Sequence, residues 1–423
     1  MRSQSCRGYQ INRRAMLATA GAAGATLLGL RVRDLLALEG SAHKAKAEHV
    51  ILFWNGGGMS HIDTWDPKPG RPTQGEFEPI KTSVSGIQLS EIFPELAKQM
   101  KHVALIRSIA GTNGDHGRAT YNLQTSYSQT GNVNHPGFGS VVVHEKQKIG
   151  DLPAYVTISG TAFGASYLGQ RCEAYYVGRP GEKDPYLAFP AGIAQVRGDK
   201  RLEILDRVNL RYAAKNGNPK LESTTTANKE AVSLMRSPAL KAFDLENVDR
   251  KTIERYGENE FGRGALMARQ LVEAGVRFVQ VNRGGFDVHT NAFPAMRAHG
   301  EAMDPALASL IEDLAASGRL EKTLVIMLSE FGRTPRINDN AGRDHHPTVF
   351  SCLLAGGGIR GGQTIGSSDE DGVRPKDRPV NVPDIHASLC HALGIDSAKE
   401  VMTPLRRPMK LVDGGKVVTE LFA

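Results

Sequence analysis

Two short apolar runs set what this chain can become. Residues 276–282 lead into Gly284-Gly285-Phe286-Asp287-Val288-His289, and residues 323–328 lead into Ser329-Glu330-Phe331-Gly332-Arg333. Runs of this length, apolar and bounded by glycine, read as strands buried on both faces. Between them Met303, Leu307, Leu310, Ile311 and Leu314 keep one-face helical spacing until Ser317-Gly318. Strand, helix, strand makes a right-handed crossover that brings both run ends to one edge of a parallel sheet. Each run stops at an acid or an Asp/His pair, so polar ligands gather at that edge, as they do in α/β enzymes.

The same punctuation recurs elsewhere. Residues 49–54 form an apolar run that ends in Asn55-Gly56-Gly57-Gly58 and is followed by His61 and Asp63. This pair reads either as part of a site or as an Asp-rich turn. Residues 103–106 form another strand, which runs into a Gly-rich turn ending Asp115-His116, with helical character from 119 to 125. Gly342-Arg343-Asp344-His345-His346-Pro347 precedes a strand over 349–355, and 384–393 reads as a closing helix. Shorter signals suggest a helix at 92–100, a strand at 154–159, a helix at 264–275 stopped by glycine, and surface helices at 202–215 and 228–243. Residues 131–260 as a whole are rich in charge, Thr, Asn and Lys, which suits an insertion or a substrate-covering subdomain.

A chain of 423 residues that is 40% hydrophobic can bury a large core. Its net charge of +7 is concentrated at the start, where residues 1–47 hold eight Lys/Arg against Asp34 and Glu39. The rest is close to neutral, which excludes a nucleic-acid footprint. Cys6, Cys172, Cys352 and Cys390 have no metal-type spacing, and Cys352 and Cys390 read as free buried thiols.

Residues 1–47 read as a targeting segment. Asn12-Arg13-Arg14-Ala15-Met16-Leu17 precedes an Ala/Gly/Leu run that is shorter than the roughly 20 residues a membrane span needs. The pattern resembles a twin-arginine export signal, with Asn12 where Ser or Thr is usual and Ala45-Lys46-Ala47 as a small-x-small cleavage site. The expectation is a protein exported to the periplasm or beyond by the twin-arginine machinery, without a stable transmembrane anchor.

Carboxylates and imidazoles at strand ends supply the ligands of a divalent cation such as Zn, Mn, Mg or Ca, or an acid–base site. The candidates are His61 and Asp63; Asp115 and His116; Asp287 and His289; Glu330; and Asp344, His345 and His346. Asp115, His116, His346 and Arg333 are the candidates for catalysis itself. Arg118, Arg333 and Arg343 lie near these clusters, either to hold an oxyanion or to pair with a neighbouring carboxylate.

Gly57-Gly58-Met59-Ser60-His61-Ile62-Asp63-Thr64-Trp65-Asp66-Pro67, Asp287-x-His289, Ser329-Glu330-Phe331-Gly332-Arg333-Thr334-Pro335 and Gly342-Arg343-Asp344-His345-His346-Pro347 together resemble the secreted, sulfatase-like bacterial proteins grouped as domain of unknown function 1501. That family resembles a remote branch of the alkaline phosphatase superfamily. The resemblance implies an α/β fold over residues 48–423: an alkaline-phosphatase-like three-layer sandwich, with a central mostly parallel sheet and helices on both faces. It also implies a divalent metal and an ester of sulfate or phosphate as substrate, on a small molecule or a polysaccharide. Asn55 or Gly56 stands where the superfamily has an acidic ligand, and Phe331 where it has a histidine. The resemblance leaves Ser108, Thr112 or a water as the attacking group; the expected nucleophile is a metal-activated water, with His116 or His346 moving the proton. The alternative is a binding protein that keeps the fold and has lost catalysis.

Overall fold

The computed structural model describes residues 46–183, 187, 195–216 and 219–422. Residues 1–45, which hold Cys6, the paired arginines and nearly all of the expected targeting segment, lie outside the described residues. Nine strands build the main sheet: β1 (His49–Asn55), β2 (Val103–Ala110), β3 (Tyr155–Ile158), β4 (Tyr175–Val177), β5 (Phe278–Arg283), β6 (Thr323–Leu328), β7 (Phe350–Ala355), β8 (Gln363–Ile365) and β9 (Val380–Asn381). Their order is β8-β2-β7-β6-β1-β5-β3-β4, with β9 also on β2. Only β7 runs against its neighbours; every other pairing is parallel.

Every residue of β1, His-Val-Ile-Leu-Phe-Trp-Asn, is buried, because β5 and β6 flank it and helices cover both sheet faces. Alternation along the strand sends Ile51 and Phe53 into one core and Val50, Leu52 and Trp54 into the other. The first core is closed by α5 (Glu260–Glu273) and α6 (Ala292–Ala316). The second is closed by α1 (His116–Thr125), α2 (Phe138–Glu145) and α7 (Val382–Leu393). This is the three-layer α/β sandwich expected from the sequence. The crossover from β5 through α6 to β6 steps over β1, which lies between the two strands.

Local chemistry fixes the ends of these elements. The Asn259 side chain accepts the Gly262 N–H at the start of α5. Asn381 and Asp384 form a capping box on α7, which ends at Gly394 in the left-handed conformation. Buried Asp304, inside α6, accepts the N–H groups of Glu95 and Leu96 at 2.8 Å each and so caps the short helix Pro94–Lys98.

The sequence signals ran short at several ends. β2 continues to Ala110 and absorbs residues read as turn. Within 131–260, α2, β3 and β4 belong to the sandwich itself, so the outlying part narrows toward α3 (Gln195–Asn216) and α4 (Pro219–Arg236). Cys172, Cys352 and Cys390 are free and buried. Among the described residues no helix is long and apolar enough to cross a membrane.

Two buried histidines make the fold sensitive to acid. Burial pushes the imidazoles of His61 and His386 down to about 4, and His386 Nε2 donates to the Leu123 carbonyl at 2.8 Å. The unfolded chain takes up protons from about pH 6.5 downward, which the folded chain refuses, so stability is lost as pH falls from about 6.5 toward 4. A melting series from pH 7 to 4 should show that fall. It should be shallower in His386→Asn, and an unchanged slope would remove His386 from the account.

Candidate metal centre

The carboxyl ends of β1, β2, β5 and β6 and the amino end of antiparallel β7 lie at one edge of the sheet. Four segments at that edge bring side chains together. The loop after β5 carries Asp287 and His289, the end of β6 gives Glu330, and His116 opens α1. Residues 332–333 and 345–346 pair as a two-residue antiparallel ladder before β7, His345 opposite Arg333 and His346 opposite Gly332.

Asp287 is the meeting point. Its Oδ1 lies 3.0 Å from His289 Nε2 and 3.2 Å from His345 Nε2, and its Oδ2 lies 3.4 Å from His116 Nε2. One ligand atom each from His116, Asp287 and His345 falls within 4.8 Å of the others. His289 Nε2 and His345 Nε2 are 3.1 Å apart.

Behind each ring stands an oxygen. His116 Nδ1 donates to Glu330 Oε1 at 2.8 Å, His289 Nδ1 to Asp344 Oδ1 at 2.7 Å, and His345 Nδ1 to the Gly114 carbonyl at 2.7 Å. All three partners only accept in their ordinary states. The ring protons are therefore assigned to Nδ1, and the neutral rings present bare Nε2 atoms. Two bare nitrogens 3.1 Å apart repel unless a cation lies between lone pairs, and His116 Nε2 is buried without a hydrogen-bond partner. Imidazoles oriented through Nδ1 by carboxylates and carbonyls are how proteins prepare metal ligands. The formal charges agree: Asp287, Glu330 and Asp344 against Arg333 leave two negative charges to be met. The donor set fits a divalent cation held by His116, Asp287, His289 and His345.

Arg333 keeps Asp287 in place. Its side chain is fully buried. Nε donates to the Gly58 carbonyl at 2.9 Å and Nη1 to the Arg343 carbonyl at 3.0 Å; Nη2 donates to the Gly57 carbonyl and to Asp287 Oδ1. Partial burial pushes the Asp287 carboxyl up, but the hydrogen bond and the charge of Arg333 outweigh it and hold it far below the usual carboxylate range. A hydrogen bond from His289 likewise lowers Asp344. Glu330 is held from two more sides, by the Gly57 N–H at 2.7 Å and the Ser329 hydroxyl at 3.2 Å. Gly57 must be glycine: φ is +116°, and a Cβ there would lie 2.5 Å from the Asp287 nitrogen.

Several sequence expectations move. Glu330 and Asp344 stand behind histidines and orient them. Arg333 has four of its five N–H groups committed to protein oxygens, and Nη1 also lies 3.5 Å from His289 Nε2, so it is a positioning group for Asp287. Asp115 caps α1, accepting the Arg118 N–H at 3.0 Å, and lies outside the cluster. Ser108 is buried and donates to the Arg378 carbonyl at 2.6 Å, which removes it as attacking group.

His346, His61 and Asp63 also lie apart. Adjacent residues of a ladder point to opposite sides, so with His345 turned inward His346 turns away. Its Nε2 bonds the Val373 carbonyl at 2.7 Å and its ring stacks on His61, centroids 6.3 Å apart. His61 Nε2 bonds the Gly372 carbonyl at 2.9 Å. Asp63 accepts from Arg343 Nε at 2.8 Å and Nη2 at 2.9 Å, both side chains wholly buried. Nothing in the sequence marks the Gly114 carbonyl, or Asn338, whose Nδ2 donates to the His289 carbonyl at 3.0 Å. The first is a backbone group, and the second is a lone loop amide set in no chemical pattern.

Asp63 is thus a structural partner of Arg343. Asp63→Ala should cost about 3–5 kcal/mol of stability by leaving a buried guanidinium unpaired, read by denaturant unfolding, and Asp63→Ala with Arg343→Met should recover part of it. Loss of bound metal at unchanged stability would return Asp63 to the ligand set.

Chains of known structure similar to this one include a phosphonate monoester hydrolase from Silicibacter pomeroyi (10% identity, 88% of this chain and 76% of that chain covered, TM-score 0.39). Others are the PsFucS1 sulfatase from Pseudoalteromonas sp. (12%, 86% and 70%, TM-score 0.35) and a protein in the alkaline phosphatase superfamily from Vibrio parahaemolyticus (8%, 83% and 67%, TM-score 0.33). Scores this low carry no argument about chemistry, which rests on the geometry above. No curated protein matches the sequence. Residues 47–422 match the family model described as a protein of unknown function, DUF1501, and the chain belongs to that family.

Proposed function

We propose that the protein is an exported, metal-dependent hydrolase of sulfate or phosphate esters, carried on small molecules or polysaccharides. One observation carries the reading: three imidazoles, each oriented through Nδ1, turn bare Nε2 atoms toward the carboxylate of Asp287. When bound there, a divalent cation supplies Lewis acidity toward an ester oxygen or a water.

The chain's own groups do the rest. Glu330 and Asp344 keep the protons of His116 and His289 on Nδ1. Arg333 keeps Asp287 ionised and fixed. Phe331, fully buried, packs against the rings of His116 and His345 at centroid distances of 4.9 and 4.8 Å and gives the pocket an apolar wall. Side-chain exposures of 47% for Asp287 and 44% for His289 leave the cluster open to a bulky ester. The second reading, a binding protein without catalysis, is favoured by Arg333 and Ser108 both being committed to internal hydrogen bonds.

Elemental analysis of the folded protein beside a panel of aryl sulfates and phosphates separates the two. The hydrolase reading expects stoichiometric divalent metal and turnover, both lost in Asp287→Ala and His345→Ala. Glu330→Gln should weaken metal affinity about 10- to 100-fold. His346→Gln should leave metal content unchanged. Metal without turnover selects the binding protein; protein free of metal, and indifferent to the Asp287 and His345 changes, sinks both. Export is tested separately: Arg13→Lys with Arg14→Lys should trap the protein in the cytoplasm, and unimpaired export would discard the twin-arginine route.

A further inference from the structure

Helix α3 leaves most of its aliphatic side chains exposed. Five aliphatics, Val196, Ile204, Leu205, Val208 and Leu210, are 69%, 62%, 41%, 55% and 65% exposed. Its less exposed positions, Gly198, Leu202, Asp206 and Asn209, fall on the opposite side of the helix from Ile204 and Val208. That side is tied to α4 by the pairs Asp199 with Arg236 and Asp206 with Lys229. A helix that packs only against its own protein turns its apolar residues inward, so the outward stripe of Ile204 and Val208, one turn apart, calls for an occupant.

Charge identifies the occupant. The three acids of α3 are each neutralised: Asp199 and Asp206 by α4, and Glu203 by Arg207. Arg197, Lys200 and Arg201 before the central stripe, and Arg211 and Lys215 after it, make no ion pair among the described residues. A second copy of the same face would set these five cations against five others, which disfavours self-association. An anionic polysaccharide would satisfy the cations and leave the aliphatics in water. An anionic lipid surface takes both, with the aliphatics below the headgroups and the guanidinium and ammonium groups at the phosphates.

We propose that α3, a cylinder of roughly 33 Å, seats the protein on the surface of an anionic bilayer. The attachment is peripheral and reversible, and it does not depend on the hydrolase reading.

Co-sedimentation of the full chain with vesicles of phosphatidylcholine alone, or with roughly 30% phosphatidylglycerol, tests it. Two variants accompany the parent, Ile204→Ser with Val208→Ser, and Arg197→Glu with Lys200→Glu and Arg201→Glu. All five side chains are exposed, so the fold is kept, as a melting curve checks. The amino-terminal segment is common to all three proteins, so its own lipid affinity cancels. Binding to the anionic vesicles should weaken about tenfold or more in each variant and fall with added salt. Equal binding by parent and variants, or none by the parent, overturns the proposal. So does light scattering that finds a dimer which the Ser variant dissociates, since the stripe is then a contact between copies.

Discussion

The buried guanidinium of Arg333 is the constraint on which the site depends. An ionised group withdrawn from water costs several kcal/mol unless each donor finds an acceptor. Arg333 meets that demand with carbonyls from the loop after β1, a carbonyl from the loop before β7, and the carboxylate of Asp287 from the loop after β5. Three loops that leave the sheet separately are thereby locked to one planar fork. A lysine there would offer a point charge without the fork, and could not hold all three. Arg343 repeats the device one layer out, joining Asp63 to carbonyls of Thr73, Thr334 and Pro335. The motif arginines that look from sequence like anion receptors are the framework of the site.

That exchange of roles shows where sequence reading succeeds. Strands such as β1 and β6 are legible because both faces are covered, so the apolar run is unbroken and its end is marked by Asn55 or Glu330. The edge occupied by polar residues follows from those ends, and Asp287, His289, His116 and His345 all lie on it. What sequence does not carry is which neighbour faces in. Asp-His and His-His pairs are symmetric on paper, and only the pairing register separates His345 from His346. The role of Asp63 was hidden for a different reason, since its partner Arg343 is 280 residues away. β4 and α2 escaped notice because both are short, and the stretch around them is charged and rich in turn residues.

The site is also built from shared groups. Glu330 serves His116, the Gly57 N–H and the Ser329 hydroxyl; Asp344 serves His289 and Asn338. Each orienting group touches at least two others, so disturbance of one ring is transmitted to the rest. Such networks respond non-additively to substitution, and single changes overstate the weight of any one residue.

The two-residue ladder before β7 sets a limit on how the loop it closes can vary. Residues 334–344 leave the sheet edge at Arg333 and return at His345. Shortening that loop by a single residue would slip the pairing by one. The slip would carry His346 into the cluster and throw His345 out to the Val373 side. An imidazole would still face Asp287, but the Gly114 carbonyl that fixes its tautomer would have no ring to accept from. Loop length therefore acts as a selector of which histidine serves, and single-residue deletions here bear on ligation far more than their exposed position suggests.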